Sequence, residues 1–149
     1  MKQKHVFIAG TALVAVLLGV LVSTIYVGSH NDGGDNKGYL ITPNDFENLM
    51  SEGDVFVINA HSPYDGEIEG TDLLADNWES IDSYADVLPR DKSTKIAVYC
   101  RSGRMSAVTA TQLRDLGYSE VYDLEGGMNS WTSSGGSLVN TLGFGEGLV

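Results

Sequence analysis

Hydrophobic positions along the chain fall into three kinds of pattern. Residues 6–27 (VFIAGTALVAVLLGVLVSTIYV) form one unbroken run with no charged side chain. At about 1.5 Å per residue, such a run is long enough to cross a hydrocarbon core of roughly 30 Å as a helix. Residues 55–58 (VFVI) are a short, continuous apolar run rich in β-branched residues, which predicts a buried parallel strand; residues 95–99 (KIAVY) read as a second strong strand and residues 120–124 (EVYDL) as a third. Other stretches space their apolar residues at helical intervals.

In the first of these, Thr42 is placed as N-cap, Pro43 as the first helical residue and Asp45 as a capping acid. Phe46, Leu49 and Met50 share its apolar face and Gly53 ends it. Residues 78–88 align Trp78, Ile81, Ala85 and Leu88 on a predicted helix stopped by Pro89. Residues 106–116 predict a third helix with a buried stripe of Ala107, Ala110, Leu113 and Leu116, closed by Gly117. The turn Glu125-Gly126-Gly127 leads into a last helix with Met128 and Trp131 facing inward. Residues 59–70 are irregular and polar. Strands alternating with helices imply βα units, hence a parallel sheet covered on both faces.

The 149 residues divide accordingly. Residues 1–5 are a short cytoplasmic segment, residues 6–27 a transmembrane helix or signal sequence, and residues 28–38 (GSHNDGGDNKG) a flexible tether. Residues 39–135 are the folded domain, and residues 136–149 a glycine-rich tail expected to be surface or frayed chain. Lys2 and Lys4 precede the apolar run while Asp32 and Asp35 follow it, so the positive-inside bias sends the domain across the membrane. The stretch after Val22 offers no A-x-A-like cleavage site and no cysteine for a lipid, which favours an uncleaved anchor over a cleaved signal and a secreted product.

A formal net charge of -11 argues against a nucleic-acid partner, because phosphate binding needs a basic surface. The basic residues are unevenly placed. From Tyr39 onward they are Arg90, Lys92, Lys95, Arg101, Arg104 and Arg114, with Asp91 the one acid between the first and last. A local positive field on an acidic body draws a small anion to one place. Lys92 and Lys95 read as solvated loop lysines, but Arg101 and Arg104 flank the chain's only cysteine, Cys100. A single cysteine forms no intramolecular disulfide, so this is not a disulfide scaffold.

Cys100 falls at the carboxyl end of a predicted strand and just before a helix, where α/β sheets bind ligands. The turn Arg101-Ser102-Gly103-Arg104-Met105 can aim successive backbone N–H groups at one point and is capped by a helix N-terminus. Gly103 lets the backbone curl without a Cβ clash. Such a cradle, with two arginines, favours a thiolate and would equally hold a persulfide, which is also an anion. The competing reading is a buried strand cysteine acting as a small hydrophobe. Cysteine phosphatases use a similar cradle but require C-x5-R, whose arginine grips the phosphoryl group. Here Met105 and Ser106 occupy the fifth and sixth positions after Cys100, and that arginine is missing.

CRSGRMS after an apolar strand, with LEGGMNSW at residues 124–131, resembles the rhodanese superfamily over residues 39–135. The resemblance implies an α/β fold with a central parallel five-stranded sheet and helices on both faces. It implies that Cys100 is the persulfide-forming nucleophile and that the amides of Arg101, Ser102, Gly103, Arg104 and Met105 make the sulfur cradle. The activity it implies is that of a thiosulfate sulfurtransferase. A sulfane sulfur would move from a small anionic donor to a cyanide-like or thiol acceptor, either a small molecule or a protein. No cofactor is implied, and no Cys/His cluster is present to hold a metal.

The chain also departs from the family, whose strands usually end in Asp-x-Arg followed by Gly-His-Ile-x-Gly. It has Asn59-Ala60-His61 and Gly66-Glu67-Ile68-Glu69-Gly70 instead, and residues 63–68 (PYDGEI) resemble a branch with a Pro-Tyr-x-Gly-Glu-Ile pattern. His61 is a candidate pH-sensitive partner near the site, or else a hydrogen-bonded structural histidine. Glu67 and Glu69 read as loop carboxylates, and Met128 and Trp131 as core. Because of the altered Asn59/His61 region, a non-catalytic, membrane-tethered sulfur-binding or interaction module is the alternative function.

Overall fold

Two of the apolar runs pair with each other. β2 (Val55–Asn59) lies parallel to β4 (Lys95–Tyr99), with Val55 opposite Lys95 and Asn59 opposite Tyr99. The third run, β5 (Val121–Leu124), flanks β4 on its other side. Two short edge strands complete the sheet, β1 (Tyr39–Ile41) against β5 and β3 (Leu73–Leu74) against β2. The order is β1-β5-β4-β2-β3 and every pairing is parallel, as expected for the five-stranded sheet.

The computed structural model describes residues 39–141. The apolar run of residues 6–27 and the tether of residues 28–38 lie outside the described residues. Among the described residues, no helix is long and apolar enough to cross a membrane.

Side-chain alternation sorts β4 onto two faces. Ile96, Val98 and Cys100 join Ile58, Val121, Ala110 and Leu113 on the face covered by α2 (Arg104–Asp115). Ala97 and Tyr99 join Val57, Phe46, Leu49, Leu124 and Met128 on the face covered by α1 (Pro43–Ser51) and α3 (Gly127–Ser133). Burial on both faces is why these strands read as continuous apolar runs rather than as alternating ones. α1 starts as expected: the Thr42 hydroxyl accepts the Asp45 N–H at 3.3 Å and donates to the Asp45 carboxylate at 2.7 Å.

Three expectations are corrected. Residues 78–88 do not form an α-helix; one 3-10 turn spans Ile81–Tyr84. Local polar groups compete for this backbone, with Ser80 Oγ donating to Asp82 Oδ1 at 2.7 Å and Ser83 Oγ to the Ser80 carbonyl at 2.6 Å. Gln112 of α2 then takes the place of helical hydrogen bonds. Its Oε1 accepts from Ile81 N–H at 2.8 Å and its Nε2 donates to the Glu79 carbonyl at 3.0 Å.

The second correction concerns α2, which buries Ser106, Thr109, Ala110 and Leu113, while Ala107 and Leu116 face solvent. Two hydroxyls on the buried face hid its true orientation from a search for apolar spacing. Thr109 Oγ1 is satisfied by the carbonyls of Trp78 at 3.2 Å and Met105 at 3.3 Å.

Third, the start of the tail is pinned down. Glu67 and Val139 exchange backbone hydrogen bonds of 2.9 and 2.8 Å, and the Glu67 carboxylate accepts from the Thr141 hydroxyl. Glu67 is thereby buried rather than a loose loop carboxylate.

β5 also places an acid inside. Burial pushes the Asp123 carboxyl up to about 6, although Ser106 and Arg114 act in the opposite direction, and Oδ1 has no hydrogen-bond partner. The folded state therefore holds this proton more tightly than the unfolded chain does. Stability from this group is greatest below about pH 4 and is lost as pH rises to about 6. Asp123→Asn is expected to raise stability at pH 7 by about 1–3 kcal/mol and to flatten that dependence. Urea unfolding across this pH range checks it, and an unchanged slope would count against the buried-charge account.

Candidate active site

Cys100 follows β4 without a gap, and its side chain continues the face formed by Ile96 and Val98. The chain then turns sharply into α2. Gly103 is the N-cap of that helix, with φ 90° and ψ −11°, a left-handed conformation that glycine adopts without strain. This turn swings the Gly103 N–H back onto Cys100 Sγ at 3.1 Å. The thiol is buried, with the residue 1% exposed, while Arg101, Ser102 and Arg104 are exposed and Met105 is half-buried. Of the five residues expected to form the cradle, Gly103 is the one whose amide is hydrogen-bonded to the Cys100 sulfur.

A second loop carries the first. Met128 N–H donates to the Cys100 carbonyl at 2.8 Å and Asn129 N–H to the Arg101 carbonyl at 3.1 Å, so the start of α3 caps the cysteine loop. The backbone of Gly127 lies so close that a Cβ there would sit 2.1 Å from the Cys100 carbonyl oxygen. The pairing of CRSGRMS with LEGGMNSW therefore has a physical cause: Gly127 admits the backbone of the cysteine loop.

The arginines are engaged. Arg101 Nη1 lies 3.4 Å from Asp65 Oδ2, and both side chains are more than half exposed. Arg104 stacks over Trp78, with Cζ 5.6 Å from the ring centroid. Met105 packs with Trp78 against the core beneath α2, and the next residue, Ser106, buried on that helix, stands where a phosphatase would need its arginine.

The altered strand end also becomes clear. Asn59 is buried; its Nδ2 donates to the Gly66 carbonyl at 3.1 Å and its Oδ1 accepts from His61 N–H at 3.0 Å. An amide serves both roles, whereas a carboxylate could only accept. Asn59 thereby holds the loop that carries His61 and Asp65. Burial pushes the His61 imidazole below its ordinary range, with Asp65 acting upward and Arg101 downward, and its Nδ1 is buried without a hydrogen-bond partner. His61 therefore stands close enough to the Arg101–Asp65 pair to feel both charges. Asp65 was not singled out from the sequence. It is one aspartate in an irregular polar stretch, and only the fold brings it to Arg101.

The Rhodanese-like domain family profile matches residues 42–134. The chain belongs to the rhodanese-like domain family. Among curated proteins, this rhodanese-like chain is similar to the tRNA uridine(34) hydroxylase of Wolbachia sp. subsp. Brugia malayi (strain TRS). The two are 23% identical over 111 residues, which cover 72% of this chain and 41% of that protein. It is 30% identical over 98 residues to the protein of the same description from Rickettsia rickettsii (strain Sheila Smith), covering 62% of this chain and 39% of that one. The chain thus spans about two fifths of these relatives' length. Among solved structures, a rhodanese-related protein from Thermoplasma volcanium matches the rhodanese-like domain with a TM-score of 0.57 at 27% identity. That match covers 68% of this chain and 97% of the other.

Proposed function

We propose that this rhodanese-like chain is a sulfurtransferase. The Cys100 thiolate attacks the sulfane sulfur of a small anionic donor of the thiosulfate type, forming an Sγ–S bond. The donor's S–S bond breaks and sulfite departs with the bonding pair. A thiol or cyanide-like acceptor then takes the outer sulfur and regenerates the thiolate. The observation that carries this reading is the Gly103 amide 3.1 Å from Cys100 Sγ at the N-terminus of α2. That donor stabilises negative charge on sulfur in the thiolate and in the persulfide alike, and a helix N-terminus adds about 0.3–1 kcal/mol.

The charge-free residues 6–27, with lysines before and aspartates after, support a single-pass membrane protein with its domain on the extracytoplasmic side. The tRNA substrate in the name of the curated relatives is not carried over, because a net charge of -11 opposes a phosphate backbone. After incubation with thiosulfate, intact-protein mass spectrometry is expected to find a gain of about 32 Da, one sulfur atom, on Cys100. Cyanide should remove it. No adduct on Cys100 would overturn the assignment, whereas a stable adduct that no acceptor removes would favour the second reading, a sulfur-binding module without turnover. That alternative draws on Asn59 and His61 standing where the family has its Asp-x-Arg pair.

A further inference from the structure

Two arginines and one aspartate stand beside the cysteine loop, and the aspartate offsets one of the two positive charges. Arg101 follows the nucleophile directly, but its guanidinium faces Asp65 at 3.4 Å. Arg104 is drawn over the Trp78 ring, and burial favours the uncharged form of His61. An ion pair as exposed as Arg101–Asp65 is weak, so an incoming anion can replace the carboxylate on Arg101. Asp65 cannot then move far away. Its loop is tied down by Asn59 through Gly66 and His61, and the next residue, Gly66, packs on Leu138 and Val139. The displaced carboxylate stays at the mouth and repels whatever anion has taken its place.

We propose that Asp65 is a specificity-determining residue, which through Arg101 favours singly charged sulfane donors over doubly charged ones. The proposal rests on the sulfurtransferase reading and names the donor class for that site. Its physical basis is that a fixed charge acts on a donor in proportion to the donor's own charge, so its effect on the logarithm of the rate is twice as large for a dianion as for a monoanion.

Two donors separate the effect, thiosulfate with two negative charges and methanethiosulfonate with one. Both pass a sulfane sulfur to the Cys100 thiolate, the first releasing sulfite and the second methanesulfinate, each leaving with the electron pair of the broken S–S bond. In the full-length chain, Asp65→Asn is expected to raise kcat/KM for thiosulfate about tenfold and for methanethiosulfonate about threefold, both gains shrinking as salt is added. Arg101→Gln should lower the two rates with the same two-to-one ratio of logarithms. Asp65→Glu, which keeps the charge, should hold the wild-type preference. Equal changes for both donors, or none, with Cys100-dependent transfer intact in the wild type, would show that Asp65 serves only the loop's shape and overturn the proposal. If the wild type transfers sulfur from neither donor, the sulfurtransferase reading fails, and this inference fails with it.

Discussion

Cys100→Ser is expected to lower sulfur transfer from thiosulfate to cyanide by at least about 10³-fold while leaving the domain folded. Serine has nearly the same shape, and its Oγ can still accept from the Gly103 N–H that now reaches Sγ at 3.1 Å. What it lacks is the chemistry. A hydroxyl is not ionised near neutral pH and forms no persulfide, so neither half of the transfer can proceed. Cys100 packs in the core beside Val98 and Ala110, and exchanging sulfur for a hydroxyl there costs about 1 kcal/mol. A thiocyanate assay reads the first effect and urea unfolding the second. Full transfer activity in the serine variant would mean that the sulfur is carried elsewhere.

Gly127→Ala should be the most damaging single methyl group in the domain, lowering stability by about 3–5 kcal/mol. Its Cβ would lie 2.1 Å from the Cys100 carbonyl oxygen and 2.9 Å from the Arg101 carbonyl carbon. Both are backbone atoms, so no rotamer change relieves the overlap. The site is also at φ 58°, where side chains add strain. Gly103 makes the useful contrast. It too has a left-handed backbone, but its nearest contact for an added Cβ is 3.6 Å away, leaving strain of about 1 kcal/mol and no clash. Because Met128 and Asn129 hold the cysteine loop through the same turn, Gly127→Ala should lose sulfur transfer as well as stability. Denaturant unfolding and the thiocyanate assay on one preparation test both. A variant within about 1 kcal/mol of wild type would show that the two loops do not depend on this contact.

Strands β2 and β4 were legible because burial on both faces leaves a local signature, a nearly continuous run of apolar residues, whereas β5 carries the buried Asp123 within its run. α1 was legible for a similar reason: Thr42, Pro43 and Asp45 act within one turn of chain. Where partners are distant in sequence, that advantage disappears. β1 and β3, of three and two residues, exist as strands only because β5 and β2 offer them a backbone to pair with. The predicted helix at residues 78–88 gave way to a 3-10 turn because Gln112, on another element, satisfies Ile81 and Glu79.

The site divides along the same line. By itself the sequence determined the place of the one cysteine after a strand, the glycine that turns its loop and the family the domain belongs to. All of these are carried by neighbouring residues whose chemistry acts over a few bonds. Only the tertiary structure decided which amide reaches Sγ, that Gly127 lies under Cys100, that Asn59 ties down the His61 loop, and that Asp65 faces Arg101. The contacts of Gly127 with Cys100 and of Asp65 with Arg101 join segments far apart in the chain, and those of Gly103 and Asn59, though closer in sequence, depend on how each loop turns. A lone aspartate or glycine looks the same in sequence whether or not the fold brings an arginine or a carbonyl to meet it.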